Sequence, residues 1–512
     1  MSSPALSSSH MPADPAATPA AARAALRVSV VGGGVSGLVA ALELARAGAA
    51  VTVLEGDTRF GGRIASAELA GRTVDIGAEA FATRGGHVAA LLRELGIAEQ
   101  CAAPAPLGSW LVAAADGAAA PLPPAGTLGI PAAPLARATR QVLGARGTLR
   151  AAAEPLLPAR VGRDSATIAE LVRARSGSAV LEKLVRPVAL GVYSAPPERL
   201  PLSVLPGLET ELRRTGSLTR GARALRGRTS AAGGAVATLR GGMTTLVTAL
   251  TDAVRGAGGE LCTGSPVAAL DTAGQGTERG IAVLDAAGRE IARADAVVLA
   301  VPESAARAIL GAPGEQETES TVEVIVLALD RAHEAVAPLV RAPRGTGALV
   351  NADAGAPGGE PAQPLITAKA LTHISRKWPH ATHRDTELVR LSYGRDGAAP
   401  ATRELDDEAA LGLALRDAGA ILGARLPRDA VQGIARHVWR MPARGERAAL
   451  IPPAGVLLAG DWCSGAGFAA VIPAAQRVAR ELLTAHGVCA HTVPAAPQRT
   501  AHPDPATERP HE

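Results

Sequence analysis

Residues 27–55 constrain this chain more than any other stretch. Arg27-Val-Ser-Val-Val31 reads as a buried strand, Gly32-Gly-Gly-Val-Ser-Gly37 as a G-x-G-x-x-G turn, and Leu38–Ala47 as an apolar helix closed by Gly48. A second strand, Ala50–Leu54, ends in Glu55, 18 residues after Gly37. The glycines let the backbone turn tightly and approach a pyrophosphate, whose charge the helix N-terminus stabilises. A carboxylate at that distance accepts hydrogen bonds from an adenosine ribose. Gly32, Gly33, Gly34, Val35, Ser36, Gly37 and Glu55 are therefore candidate dinucleotide contacts.

The motif does not stop at the ribose. Gly56-Asp-Thr-Arg-Phe-Gly-Gly62-Arg63 and then Asp75-Ile-Gly77-Ala78-Glu79 continue the binding stretch as a longer cofactor such as FAD requires. Near the other end, Gly455-Val-Leu-Leu-Ala-Gly460-Asp461 is an apolar strand ending in Gly-Asp, and Ala469–Leu483 follows as a helix. An acid there can hold a ribityl hydroxyl, and a helix N-terminus favours negative charge on a reduced flavin.

With 512 residues the chain holds about three domains' worth of folded mass at roughly 150 residues each. Its 52 basic and 48 acidic residues leave a net charge of +4, too balanced for a general nucleic-acid binder. Cys101, Cys262, Cys463 and Cys489 form no C-x-x-C pair, so neither a disulfide framework nor a thiolate metal site is indicated, and a cytoplasmic setting is expected. The sequence shows no signal peptide and no membrane span, which leaves membrane contact at most peripheral. Residues 1–26 and 489–512 read as disordered tails.

Beyond the nucleotide motif, Val74-Asp-Ile-Gly-Ala-Glu-Ala-Phe-Ala-Thr-Arg84, Leu184-Val-Arg-Pro-Val-Ala-Leu-Gly-Val-Tyr-Ser194, Leu239-Arg-Gly-Gly-Met243, Ala368–Trp378 and Leu391-Ser-Tyr-Gly394 carry a resemblance. The chain resembles the flavin monoamine oxidase and protoporphyrinogen oxidase superfamily, and within it the bacterial coproporphyrinogen III oxidase branch. The resemblance implies an α/β fold, a Rossmann-like FAD-binding flavoprotein of the two-dinucleotide-binding-domain type, with an α+β substrate domain and a helical insertion. It adds Ala80, Val267, Trp439 and the Ala466-Gly467-Phe468 turn to the FAD contacts. It also implies oxidation of coproporphyrinogen III to coproporphyrin III in heme biosynthesis, with molecular oxygen as acceptor and hydrogen peroxide as product; contact with the next heme-pathway enzyme is a separate expectation.

The chain then divides as follows: 27–95, 232–302 and 435–488 as a discontinuous FAD-binding domain, 96–124 and 303–434 as the substrate domain, and 125–231 as a helical domain. Because the flavin does the hard chemistry, few acid–base residues are expected, and no catalytic residue is assigned. Propionates need cations, for which Arg84, Arg376 and Lys369 are the candidates, while Tyr193 and Tyr393 could line the macrocycle. The absence of a second nucleotide unit or a redox cysteine pair points to oxygen as acceptor.

Several features compete with this reading. Six arginines between Arg213 and Arg228 read as a solvated loop or a contact for an anionic partner, and His373, His380 and His383 as a surface loop without a metal. After Trp439, Met441-Pro-Ala-Arg-Gly445 reaches Gly455 in ten residues, without the Gln-Tyr, Gly-His and helix usual in relatives. Protoporphyrinogen IX oxidase and a flavin-containing porphyrin-binding scaffold without turnover therefore stay open. An amine oxidase is disfavoured because four Trp, three Phe and two Tyr leave few rings to bracket an amine, Trp462 and Phe468 being the nearest.

Overall fold

The computed structural model describes residues 25–123, 125–193, 195–205, 207–230, 236–272, 280–312, 320–351, 365–394, 399–441 and 449–488. Its first layer is a five-stranded parallel sheet, in the spatial order Glu260–Cys262, Ala50–Leu54, Arg27–Val31, Ala296–Leu299, Val456–Leu458. Parallel strands are buried on both faces, which is why they read as apolar runs without strong alternation. Val28, Val30, Val51, Val53 and Val298 pack against helices. Val31, Leu54, Val297 and Leu299 face the other way, onto the antiparallel strands Ala269–Asp271, Ile281–Leu284 and Glu290–Ala294. Full burial of each such valine stabilises the sheet by about 1.5–3 kcal/mol relative to exposure.

Helix Val35–Arg46 is buried around almost its whole circumference, between the sheet and helices Thr244–Gly256 and Phe468–Ala485. Its small residues Ala40 and Ala41 are fully buried and permit close approach. It ends where Ala47 leads into Gly48 at φ 86.

The second layer is a seven-stranded sheet in the order Val431–Met441, Ser320–Asp330, Thr386–Tyr393, Ala370–Thr372, Gly347–Asn351, Trp110–Ala113, Ala119–Pro121. Every pairing is antiparallel except that of Gly347–Asn351 with Trp110–Ala113. The period of two is plain in the long central strand. Ile325, Leu327 and Leu329 point into a core that also holds Ala410, Ala414, Ala418 and Ile421 of helix Asp407–Leu422. Val322, Val324 and Val326 point to the opposite face, onto Leu69, Val74 and Ile76 of the hairpin Ser66–Leu69/Arg72–Asp75 and the loop after it. That hairpin belongs to the nucleotide-binding stretch, so the two layers meet there.

Two expectations change. Val431–Met441 is an edge strand of the seven-stranded sheet, with Trp439 opposite Val322, so residues 435–441, expected with the parallel strands, pair instead with Ser320–Asp330. The arginine-rich stretch is not a loop. Leu208–Thr215 and Leu218–Ser230 are helices joined through Gly216, with Arg214 paired to Glu211 and Arg223 donating to the Ala132 carbonyl.

The helical region packs around its own core of Ile168, Leu171, Val172, Leu181, Leu184 and Val185. At its centre Glu154 and Arg175 are both fully buried. Glu154 accepts from Arg175 Nε at 2.6 Å, Ser217 Oγ at 2.6 Å and the Leu218 amide at 2.7 Å. Arg175 also donates to the carbonyls of Val161 and Gly216. Among the described residues no helix is long and apolar enough to cross a membrane.

Candidate functional site

The glycine turn is shaped from within. A Cβ on Gly37 would stand 1.9 Å from the Gly32 carbonyl oxygen, so only glycine lets the helix start this close to the strand. The N-cap residue Gly34 contributes no side-chain hydrogen bond, which leaves the first helical amides available to an anion. Ser36, in the first turn, is buried, and its Oγ has no partner among the described residues. A buried hydroxyl without a partner beside a helix N-terminus suits a phosphate oxygen. Glu55, at the end of the neighbouring strand, accepts from the Gly33 amide at 2.7 Å and the Asp57 amide at 2.9 Å. Its amide in turn bonds the Cys262 carbonyl, and the Ser265 amide bonds the Glu55 carbonyl. This ladder brings half-buried Val267 to the same end of the sheet, and Pro266 packs on Gly56.

The Gly61–Arg63 loop folds back on that turn, the Gly61 amide donating to Gly33 O at 2.8 Å. Arg59, which sequence reasoning missed, clamps the loop by donating to Ile64 O at 2.8 Å and Gly62 O at 2.9 Å. From there Arg63 reaches across to form an ion pair with Asp461. Asp461 follows Gly460 at the end of the last parallel strand, and this turn is fixed by Trp462, whose indole donates to Val301 O at 2.9 Å. The exposed Ala466-Gly467 pair and half-buried Phe468 lead into the long final helix, whose N-cap Gly467 supplies no side-chain bond. Two chain ends therefore close on one frame, with free helix N-termini on both sides. The chemistry of these residues fits FAD: the amides and Ser36 would hold a diphosphate, and Glu55 would hold a ribose.

The Asp75–Ala80 stretch links this frame to the substrate sheet. A Cβ on Gly77 would lie 2.2 Å from Arg63 O, and the Ala78 amide bonds that same oxygen. Trp439 Nε1 donates to Ile76 O at 2.8 Å, and Arg390 donates to Gly77 O at 2.7 Å. Glu79, expected among the cofactor contacts, has protein partners of its own. Its carboxylate forms an ion pair with Lys377 and lies 3.6 Å from Arg390, while its carbonyl accepts from Thr238 Oγ1. Burial works to raise the Glu79 carboxyl, but Lys377 and Arg390 outweigh it and hold it below the ordinary carboxylate range. Ala78 and Ala80 are half-buried on either side. Asp75 accepts from the Met243 amide at 3.1 Å, and burial pushes its carboxyl up to about 6.

The substrate candidates separate. Arg84 is exposed on the loop before helix His87–Glu94. Arg376 is committed to Glu387, donating through Nε at 2.6 Å and Nη2 at 2.5 Å. Lys369 is buried at 4% exposure. Tyr393 is closed inside the core of the seven-stranded sheet at 0% exposure and presents no surface to a macrocycle. Tyr193 ends helix Arg186–Tyr193, and its side chain lies outside the described residues. The expectation of a surface loop at the three histidines also changes. His373 is fully buried and bonds Glu387 through Nε2 at 2.8 Å, while His380 and His383 are half-buried. Of the shortened stretch between Met441 and Gly455, residues 442–448 lie outside the described residues.

A family model for flavin containing amine oxidoreductases matches residues 35–483. Coproporphyrinogen III oxidase of Mycobacterium tuberculosis (strain H37Rv) is 30% identical over 487 residues, covering 89% of this chain and 97% of that protein. The coproporphyrinogen III oxidase of Mycobacterium leprae is 31% identical over 473 residues, covering 88% and 97%. Among solved structures, a proposed protoporphyrinogen oxidase from Exiguobacterium sp. 255-15 superposes with a TM-score of 0.73 at 22% identity, over 90% of this chain and 99% of that one. A putrescine oxidase with bound putrescine gives 0.57 at 16% identity, over 90% and 99%.

Proposed function

The chain belongs to the flavin containing amine oxidoreductase family and takes FAD as its cofactor, and from that premise we propose that it oxidises coproporphyrinogen III to coproporphyrin III in heme biosynthesis. The observation that carries this reading is the span of the likeness. Proteins named coproporphyrinogen III oxidase match over 97% of their own length, which takes in the substrate sheet and helical region as well as the nucleotide motif.

In this reading three successive two-electron oxidations remove six hydrogens from the macrocycle, and three molecules of oxygen become three of hydrogen peroxide. FAD, when bound, supplies the hydride-accepting and oxygen-reacting chemistry. The chain supplies position. Arg63 and Asp461 join the two halves of the cofactor frame. Arg390 and Trp439 hold the Ile76–Gly77 backbone against the substrate sheet, which sets the distance between the two layers. Arg84, exposed beside this stretch, is positioned to pair with a propionate at low cost, whereas Arg376 would first have to leave the buried Glu387.

Aerobic turnover tests the proposal. With coproporphyrinogen III the FAD-loaded protein is expected to produce coproporphyrin fluorescence with three oxygens consumed per macrocycle. Porphyrin binding without oxygen uptake would replace the enzyme with a scaffold, and faster turnover of protoporphyrinogen IX would move the substrate.

A further inference from the structure

Away from the cofactor frame, a cavity of about 300 Å³ opens between the hairpin ending at Asp75, the Arg240–Gly242 turn and the Ile374–His383 segment. That size is at the lower end for small-molecule sites. Arg72, Asp75, Arg240, His380 and His383 supply its polar wall, and buried Trp378 supplies an apolar one. Neither the glycine turn nor Arg63 nor Asp461 lines it.

Its cations differ from their neighbours. Lys377 and Arg390 are paired with Glu79, and Arg376 with Glu387. Arg72 Nε, in contrast, is buried with no hydrogen-bond partner, and among the described residues neither Arg72 nor Arg240 meets a carboxylate. A buried guanidinium donor left unmade is costly, and the residue that carries it lines a space with room for a ligand. The two imidazoles add hydrogen-bonding capacity without adding charge. Burial together with Arg240 at His380, and burial together with Arg72 at His383, favours their neutral forms. Asp75 and Glu79 are the acids on the cavity wall; Asp75 already accepts the Met243 amide, and Glu79 is paired with Lys377.

We propose that this cavity binds a small oxyanion, a phosphate or a carboxylate, held by Arg72 and Arg240 against the Trp378 face. Guanidinium groups recognise both anions through paired N–H donors. The site has a route to the cofactor. Asp75 and Glu79 line it and also bracket the Ile76–Ala78 backbone that Trp439 and Arg390 hold.

The test titrates the FAD-loaded protein with inorganic phosphate, and separately with succinate, at ionic strength held constant with potassium chloride. Tryptophan fluorescence and flavin absorbance are the readouts. A saturable response to either oxyanion, absent with chloride alone, is expected, and the stronger of the two identifies the source. Arg240 is exposed, so Arg240→Gln should fold and stay yellow while binding about tenfold or more weakly, the loss of one charge-assisted hydrogen bond. Arg72→Gln should behave the same way. An equal response to chloride, or unchanged saturation in R240Q, would overturn the proposal. Coproporphyrinogen turnover is measured separately and its failure leaves this result intact.

Discussion

Arg63 and Asp461 stand 398 residues apart in the sequence and meet in an ion pair at the centre of the cofactor frame. Arg63 closes the loop that follows the glycine turn, and Asp461 opens the turn after the last parallel strand. The pair is a side-chain link between the beginning and the end of the fold, alongside Gln476, which donates to Glu43 at 2.8 Å.

Replacing either partner should therefore loosen the cofactor more than the fold. Arg63→Ala and Asp461→Asn are each expected to raise the FAD dissociation constant about tenfold or more, the scale of one charge-assisted hydrogen bond. Flavin absorbance after gel filtration measures it. Full retention of FAD by both variants would remove the pair from the frame.

A different kind of loss is expected in the helical region. Arg175→Met leaves the Glu154 carboxylate buried without its cation, which should cost about 3–5 kcal/mol of stability. Denaturant unfolding checks the magnitude. FAD retention by the folded fraction should be unchanged, because neither residue belongs to the cofactor frame.

Asp75 makes stability depend on pH in an unusual direction for a carboxylate. Burial raises it from 3.8 to about 6, so between those values the folded chain holds a proton that the unfolded chain has lost. Stability from this group is greatest at low pH and is lost as pH rises through about 6, amounting to about 3 kcal/mol above it. Asp75→Asn keeps an acceptor for the Met243 amide and should be more stable than the parent at pH 8. A parent-minus-variant difference that does not change between pH 4 and 8 would contradict this assignment.

The substrate arginines should divide by mechanism. Arg84→Ala is expected to raise KM for coproporphyrinogen about tenfold with little change in kcat, as for lost ground-state binding. Arg376→Ala should instead lower stability, because fully buried Glu387 would keep only His373 and the more distant Arg331. Steady-state kinetics and thermal melts on the two variants separate the roles.

Local sequence was enough to read the cofactor frame. A strand, turn and helix with fixed glycine offsets leave a mark within thirty or so residues, and the apolar run Ala296–Leu299 has the length of a buried parallel strand. Side chains acting across the layers left no such mark. Arg390, Lys377 and Arg59 are ordinary charged residues until folding sets them against Gly77, Glu79 and Gly62. His373 looked like a loop residue because its partner, Glu387, lies on the next strand. The arginines after Arg213 hid two helices behind glycines and charges, since their buried faces, Leu208, Leu218 and Ala222, are narrow. Trp439 was placed near the flavin by resemblance, and only the strand pairing shows that it reaches Ile76 from the substrate sheet.

One FAD in this frame is expected to take electrons from a porphyrinogen. Anaerobic mixing of the yellow protein with coproporphyrinogen III, protoporphyrinogen IX and a set of amines, followed by flavin absorbance, tests it most directly. Rapid bleaching by coproporphyrinogen III, slower bleaching by protoporphyrinogen IX and none by amines is the predicted result. A flavin that stays oxidised with both porphyrinogens, or that an amine bleaches faster, would contradict it.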